Sequence, residues 1–137
     1  MSTKMFVNLP VRDLPRSMTF FQALGFTFNR QFSDETAACM VISQKNYAML
    51  LTEAKWKQLI PRPIADTSQG REMVLCLSCE SKDEVITLVG KALAAGGTRL
   101  NDPKDHGFMF EDGFQDLDGH LWSFFWMDPS HVQPAEQ

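Results

Sequence analysis

The order strand, helix and three strands occurs twice along this chain of 137 residues, and that repeat limits the possible folds more than any other feature. In the first copy, apolar runs bounded by polar turn residues predict strands over 5–11, 26–32, 36–43 and 46–52. Asp13 is a candidate N-cap, Pro15 suits the first helical turn, and Gly25 ends the helix predicted between the first two strands. The first module is therefore βαβββ and covers 5–52.

The second copy repeats this pattern after a connection over 53–71. Strands are predicted over 72–79, 98–101, 107–115 and 120–127. A capping box from Ser81 to Glu84 begins a helix, and Gly96 and Gly97 end it. Its apolar stripe has the spacing of a helix packed on a sheet, and consists of Val85, Leu88, Val89, Ala92 and Leu93. The second module covers 72–128, and a polar tail over 129–137 follows it. The chain is predicted to be one α+β domain.

The connection between the modules has two interpretations. A short helix is predicted over 53–60, with Trp56, Leu59 and Ile60 on one side, and the segment 61–70 is rich in turn residues. This segment is either a surface tether or a lid over a pocket, since loops of this length are often functional.

The longest apolar strand follows the turn at Asp118 and Gly119. Alternation along 120–127 divides the side chains between two faces. One face carries Leu121, Ser123, Phe125 and Met127, and the other carries Trp122, Phe124 and Trp126. Ser123 is thus a small polar residue among large apolar neighbours. Whether it holds chemistry or fills space is the main functional question that the sequence poses.

Composition excludes several classes of function. The formal net charge is −4 and the basic residues are scattered, which argues against a nucleic-acid partner. No apolar run approaches the roughly 18 residues of a membrane span, and no signal-peptide core is present, so we expect a cytoplasmic protein with no membrane partner. Cys76 and Cys79 are spaced as in a metal or redox motif, but residues i and i+3 of a strand face opposite sides. We therefore expect no zinc or redox site there.

Two motifs resemble the vicinal oxygen chelate superfamily. One is the opening from Val7 to Leu14 with Ser17, Phe20, Phe21 and the segment 24–26, and the other is the closing segment 116–122. This superfamily includes glyoxalase I, bleomycin-resistance proteins, fosfomycin-resistance proteins and extradiol dioxygenases. The resemblance covers nearly the whole chain and implies curled mixed sheets around a shared cavity, helices outside, and a homodimer. Metal-using members hold one divalent ion with side chains from the first and fourth strands of each module.

Matching the four ligand positions of that family to this chain gives Phe6, Leu50, Val74 and Ser123. None of these side chains is a competent ligand, because hard divalent cations need charged oxygen or imidazole donors. A shift of two residues in both first strands would bring in only Asn8 and Cys76, or Lys4 and Glu72. We therefore expect no metal and no other cofactor.

Two functions of different class follow. The first is a metal-free cavity protein that binds a small organic molecule, and the alternative is a metal-dependent lyase or dioxygenase of the glyoxalase I type. The expected pocket is mainly apolar with sparse polar contacts, as in most small-molecule sites. It comprises Phe6, Asn8, Leu50, Val74, Ser78, Ser123 and Phe125, with Met127 beside them. A third possibility is that these side chains fill the cavity and no ligand binds.

The three histidines offer little direct evidence of catalysis. His120 is interpreted as a turn residue that bonds nearby backbone, and His131 lies in the polar tail. His106 is either a surface-loop residue or an acid/base partner of Asp105. No catalytic residue is assigned from the sequence.

Overall fold

The structure is a computed structural model of the chain and describes residues 2–131. The first half contains six main elements: β1 (Met5–Val11), α1 (Leu14–Ala23), β2 (Thr27–Asn29), β3 (Ala37–Val41), β4 (Asn46–Thr52) and α2 (Glu53–Leu59). Its strands form one sheet in the order β1-β4-β3-β2, with β1 parallel to β4. The boundary between two compact units falls between Gly70 and Arg71, and we call them the first and second units.

Helix α1 packs on β3 and β4 and covers one face of the first sheet. Asp13 caps it by accepting a hydrogen bond from the backbone N–H of Arg16 at 3.2 Å. Phe20 and Phe21 on the helix, and Leu9 and Leu50 on the sheet, are almost fully buried. Burial of such side chains stabilises the unit by roughly 1.5–3 kcal/mol each.

The second unit contains β5 (Val74–Ser78), α3 (Lys82–Ala94), β6 (Thr98–Arg99), β7 (Lys104–Asp105), β8 (Met109–Gln115) and β9 (Leu121–Met127). The strand order is β5-β9-β8-β6, and β7 pairs with β8. Helix α3 packs on β8 and β9. Trp122 and Phe124 are buried and Ser123 between them is only half-buried, so β9 turns its large aromatic residues to the core.

The predicted α+β class with two βαβββ modules is confirmed. The run 26–32 is a strand only to Asn29, because the Asn29 side chain accepts from the N–H of Gln31 at 2.9 Å and begins a 3-10 turn. The run 72–79 is a strand over only part of its length, and β7 was not predicted. Among residues 2–131, no helix has the length and apolar character needed to cross a membrane.

Candidate functional site

A cleft of about 420 Å³ lies on the exposed face of the second sheet. Its floor includes Val74 and Cys76 of β5 and their partners Leu121 and Ser123 of β9. Paired residues of neighbouring strands point to the same side of a sheet, so these four side chains share one face. The opposite face carries Trp122 and Phe124 in the core. The cleft is therefore built on the side of the sheet that α3 does not cover.

Two small residues make room at the centre of this face. Gly113 of β8 pairs with Ser123 of β9, and both line the cleft. A Cβ atom on Gly113 would lie only 2.6 Å from the backbone oxygen of Trp122, so no side chain fits there. Because Gly113 has no side chain and Ser123 has a small one, they leave space in the cleft that larger residues would fill.

The wall of the cleft is polar and comes from residues that follow β6. Asp102, Lys104 and Glu111 line it, and Lys104 lies opposite Glu111 in the pairing of β7 with β8. Neighbouring Asp112 is buried, and Arg99 Nη1 donates to both of its carboxylate oxygens, at 2.9 and 2.7 Å. This ion pair joins β6 to β8 and fixes the start of the wall.

The turn before β9 is held by the buried carboxylate of Asp116. Its Oδ1 accepts from the N–H groups of Asp118 and His120, at 2.9 and 3.0 Å, and its Oδ2 accepts from Trp122 Nε1 at 3.0 Å. Burial raises the pKa of Asp116, while the charge of His120 and the hydrogen bonds oppose that rise. The His120 carbonyl accepts from the backbone N–H of Asp116 at 2.9 Å, which agrees with its predicted role as a turn residue that bonds nearby backbone.

The predicted pocket residues of the second unit share this face. Val74 and Ser123 line the cleft. Ser78 and Phe125 pair with each other farther along β5 and β9, on the same side of the sheet. That they bind a ligand stays a prediction.

In the first unit, Phe6 and Asn8 lie together on the face of the sheet away from α1. The Phe6 ring stacks on Tyr47, with centroids 4.6 Å apart and planes 10° from parallel. Asn8 pairs with Met49 of β4, so Met49 shares their face.

Leu50, which was predicted to line the pocket together with Phe6, lies on the opposite face of the sheet. Leu50 pairs with Leu9 and has no exposed surface, because it packs in the core of the first unit. The residues of β4 that share the Phe6 face are Tyr47, Met49 and Leu51. Both faces of β4 are apolar, so alternation along the sequence could not correct this assignment.

Several cleft residues were missed by sequence reasoning. Asp102, Lys104 and Glu111 lie on a loop and on strands whose pairing the sequence did not predict. Cys76 could have been found, because it lies between Val74 and Ser78 on the same strand face.

The possible acid/base pair of Asp105 and His106 is not supported by the contacts. Asp105 pairs with Lys82, and its pKa is lowered first by that hydrogen bond and then by the N–H of Gly107. The carboxylate beside the His106 ring is that of Glu111, with Nε2 3.5 Å from Oε1. His131 lies in a 3-10 turn over Pro129–His131, with its ring centroid 5.4 Å from that of Phe108.

The residues at the family's ligand positions do not fit a divalent metal. Phe6, Leu50 and Val74 have no donor atom, and Ser123 offers one neutral hydroxyl. Within residues 2–131, no group of three or more His, Cys, Asp or Glu side chains is arranged to hold an ion. Tyr47, Met49 and Leu51, which lie on the Phe6 face where Leu50 does not, also supply neither a carboxylate nor an imidazole.

Comparisons with known proteins agree with the architecture. Residues 3–43 match the family model described as "Bleomycin resistance protein-like N-terminal". A hypothetical protein from S. aureus is 28% identical, with a TM-score of 0.78 over 92% of this chain and 94% of that one. The sequence has no significant match among curated proteins.

Two further solved structures share the fold at lower identity. A glyoxalase/bleomycin resistance protein/dioxygenase family enzyme from Burkholderia phytofirmans is 17% identical, with a TM-score of 0.76 over 89% of this chain and 96% of that one. A fosfomycin resistance protein from Listeria monocytogenes is 18% identical, with a TM-score of 0.66 over 100% of this chain and 96% of that one. Together, these matches confirm the predicted resemblance to the vicinal oxygen chelate superfamily.

Proposed function

We propose that this protein binds a small organic molecule without a metal ion, in the cleft of its second unit. The main support is the set of side chains that the sequence matches to the family's four ligand positions, which are Phe6, Leu50, Val74 and Ser123. None supplies the charged oxygen or the imidazole that a divalent cation requires. Two of them, Val74 and Ser123, line the cleft.

The cleft has the character of a small-molecule site. Its volume of about 420 Å³ lies within the usual range of about 300–1,000 Å³. Val74, Leu100 and Leu121 offer apolar contacts, and Ser123 and Asn101 offer neutral hydrogen-bonding groups. A metal-dependent lyase or dioxygenase, the alternative function, would need ligands that this chain does not have at those positions.

Titration calorimetry with a neutral apolar probe, naphthalen-1-ylmethanol, tests this function. The protein is purified without added metal and dialysed against EDTA. We expect binding at one site per chain, unchanged when Zn²⁺, Ni²⁺ or Mn²⁺ is added. Elemental analysis of the same sample should give far less than one divalent ion per chain. Binding that requires one of these ions would contradict the proposal.

A matched pair of variants locates the site. Val74→Arg places a long charged side chain in the cleft and should weaken probe binding at least tenfold. Ile86→Arg makes the same change at an apolar residue of similar exposure on α3, 50% against 45%, and should leave binding unchanged. Equal effects of the two substitutions would place the ligand elsewhere.

A further inference from the structure

The wall of the cleft carries an excess of negative charge. Asp102 and Glu111 are opposed by the single ammonium of Lys104. Asp112 also borders the cleft, but its charge is compensated by the bidentate contact with Arg99. A ligand that lies on the apolar floor therefore meets more carboxylate than ammonium at the wall.

Glu111 belongs both to the cleft and to a contact outside it. Its side chain is 34% exposed, and Oε1 lies 3.5 Å from Nε2 of His106, which does not line the cleft. The backbone N–H of His106 donates to the carbonyl of Met109 at 2.8 Å and fixes the residue at the end of the β7–β8 hairpin. Glu111 can therefore be approached by a cation from the cleft and by an imidazolium from outside.

The Asp105 carboxylate also interacts electrostatically with His106, but its hydrogen-bond partners are other groups. The Asp105 carboxylate pairs with Lys82 of α3 and accepts from the N–H of Gly107. The His131 ring lies across Phe108, whose centroid is 6.3 Å from that of His106 and 5.4 Å from that of His131. Glu111 is the acidic side chain in direct contact with the His106 ring among the described residues.

We propose that the cleft selects a small organic cation, an apolar body with one protonated amine, and that Glu111 binds the amine while protonated His106 competes for the same carboxylate. The inference rests on the proposed function, because it assigns the ligand class of the same cleft. The His106 ring carries charge only when it is protonated. Ligand affinity is thereby linked to pH: it is higher when His106 is neutral and lower when it is charged.

Three probes that share a naphthalene ring test the charge preference by calorimetry at pH 8 and low salt. They are naphthalen-1-ylmethylamine, naphthalen-1-ylmethanol and 1-naphthoate. We expect the amine to bind about fivefold more tightly than the alcohol, because one partly exposed charge pair contributes about that much to affinity. The carboxylate should bind most weakly. Glu111→Gln should remove the advantage of the amine over the alcohol. Asp83→Asn, an exposed carboxylate on α3 outside the cleft, should preserve it.

Calorimetry at lower pH tests whether protonated His106 competes with the amine for the Glu111 carboxylate. Between pH 8 and pH 5.5 the amine stays protonated, and its affinity for the wild-type protein should fall by about threefold or more relative to that of the alcohol. His106→Gln should abolish this fall. A fall that persists in His106→Gln would overturn the role of His106.

The outcomes separate this inference from the function on which it rests. If the alcohol binds and the amine binds no better, the cleft is a binding site but the cation preference is wrong. If none of the three probes binds, the proposed function of the cleft is wrong and the inference fails with it.

Discussion

Asp116 is the residue whose substitution best tests how the turn before β9 is held. Asn in its place keeps one acceptor oxygen for the N–H groups of Asp118 and His120 but presents an NH₂ group to Trp122 Nε1. Two donors then face each other in a buried site. We expect Asp116→Asn to lower the free energy of unfolding by about 1–3 kcal/mol in urea titrations.

The pH dependence of this loss has a defined sign. Burial raises the pKa of Asp116 above its ordinary value of 3.8, so folding favours the protonated carboxyl. The associated stability is fully present below the unfolded pKa and is lost as pH rises through the folded pKa. The difference in the free energy of unfolding between the wild type and Asp116→Asn should therefore decrease as the pH rises above about 4. If this difference instead increased with pH, it would contradict the raised pKa of Asp116.

The bounds of strand β4 were predicted correctly, but the face on which each of its residues lies was not, and truncation tests that assignment. Leu50 has no exposed surface and lies in the core, whereas Met49 is half-buried on the opposite face. Leu50→Ala should cost about 2–5 kcal/mol of unfolding free energy, because it leaves a cavity. Met49→Ala should cost less than half of that. Similar losses from the two truncations would show that β4 has a different register.

Two glycines in different elements are expected to respond to alanine in opposite ways. Gly113 of β8 has no room for a Cβ atom, since the Trp122 oxygen would lie 2.6 Å away, so Gly113→Ala should cost about 1–3 kcal/mol. Gly90 of α3 has nothing within 4 Å of the equivalent position, and Gly90→Ala should stabilise the protein by about 0.5–1 kcal/mol. Urea unfolding of both variants checks the pair. Stabilisation by Gly113→Ala would mean that β8 and β9 are farther apart than described.

At the scale of the whole molecule, the order of elements could be predicted and the walls of the cleft could not. The module pattern depends on local signals, such as the capping at Asp13 and Ser81 and the turn at Gly119, and these appear in the sequence. The wall depends on the pairing of the two-residue strand β7 with β8 and on residues that follow β6. Such short pairings are determined by tertiary packing, so sequence periodicity does not reveal them.

The oligomeric state is also a property of the whole molecule. We propose that the protein forms the predicted homodimer through the edge strands of its sheets. β1 and β5 stand at the ends of their strand orders, and each region carries exposed apolar side chains. Met5 and Phe6 are 62% and 47% exposed, and Met73, which directly precedes β5, is 49% exposed. An unpaired strand edge with exposed apolar side chains can pair with a strand of another chain.

Light scattering checks this assembly. At micromolar concentration the mass should be about twice the 15.6 kDa of one chain. Met5→Lys places a charge on the β1 edge and should shift the protein towards monomer. Phe32→Lys, at a residue with the same degree of exposure (61%) in a 3-10 turn rather than on an edge strand, should leave the dimer intact. A wild-type mass of one chain throughout that range would reject the homodimer. A dimer that Phe32→Lys disrupts and Met5→Lys does not would place its interface away from β1.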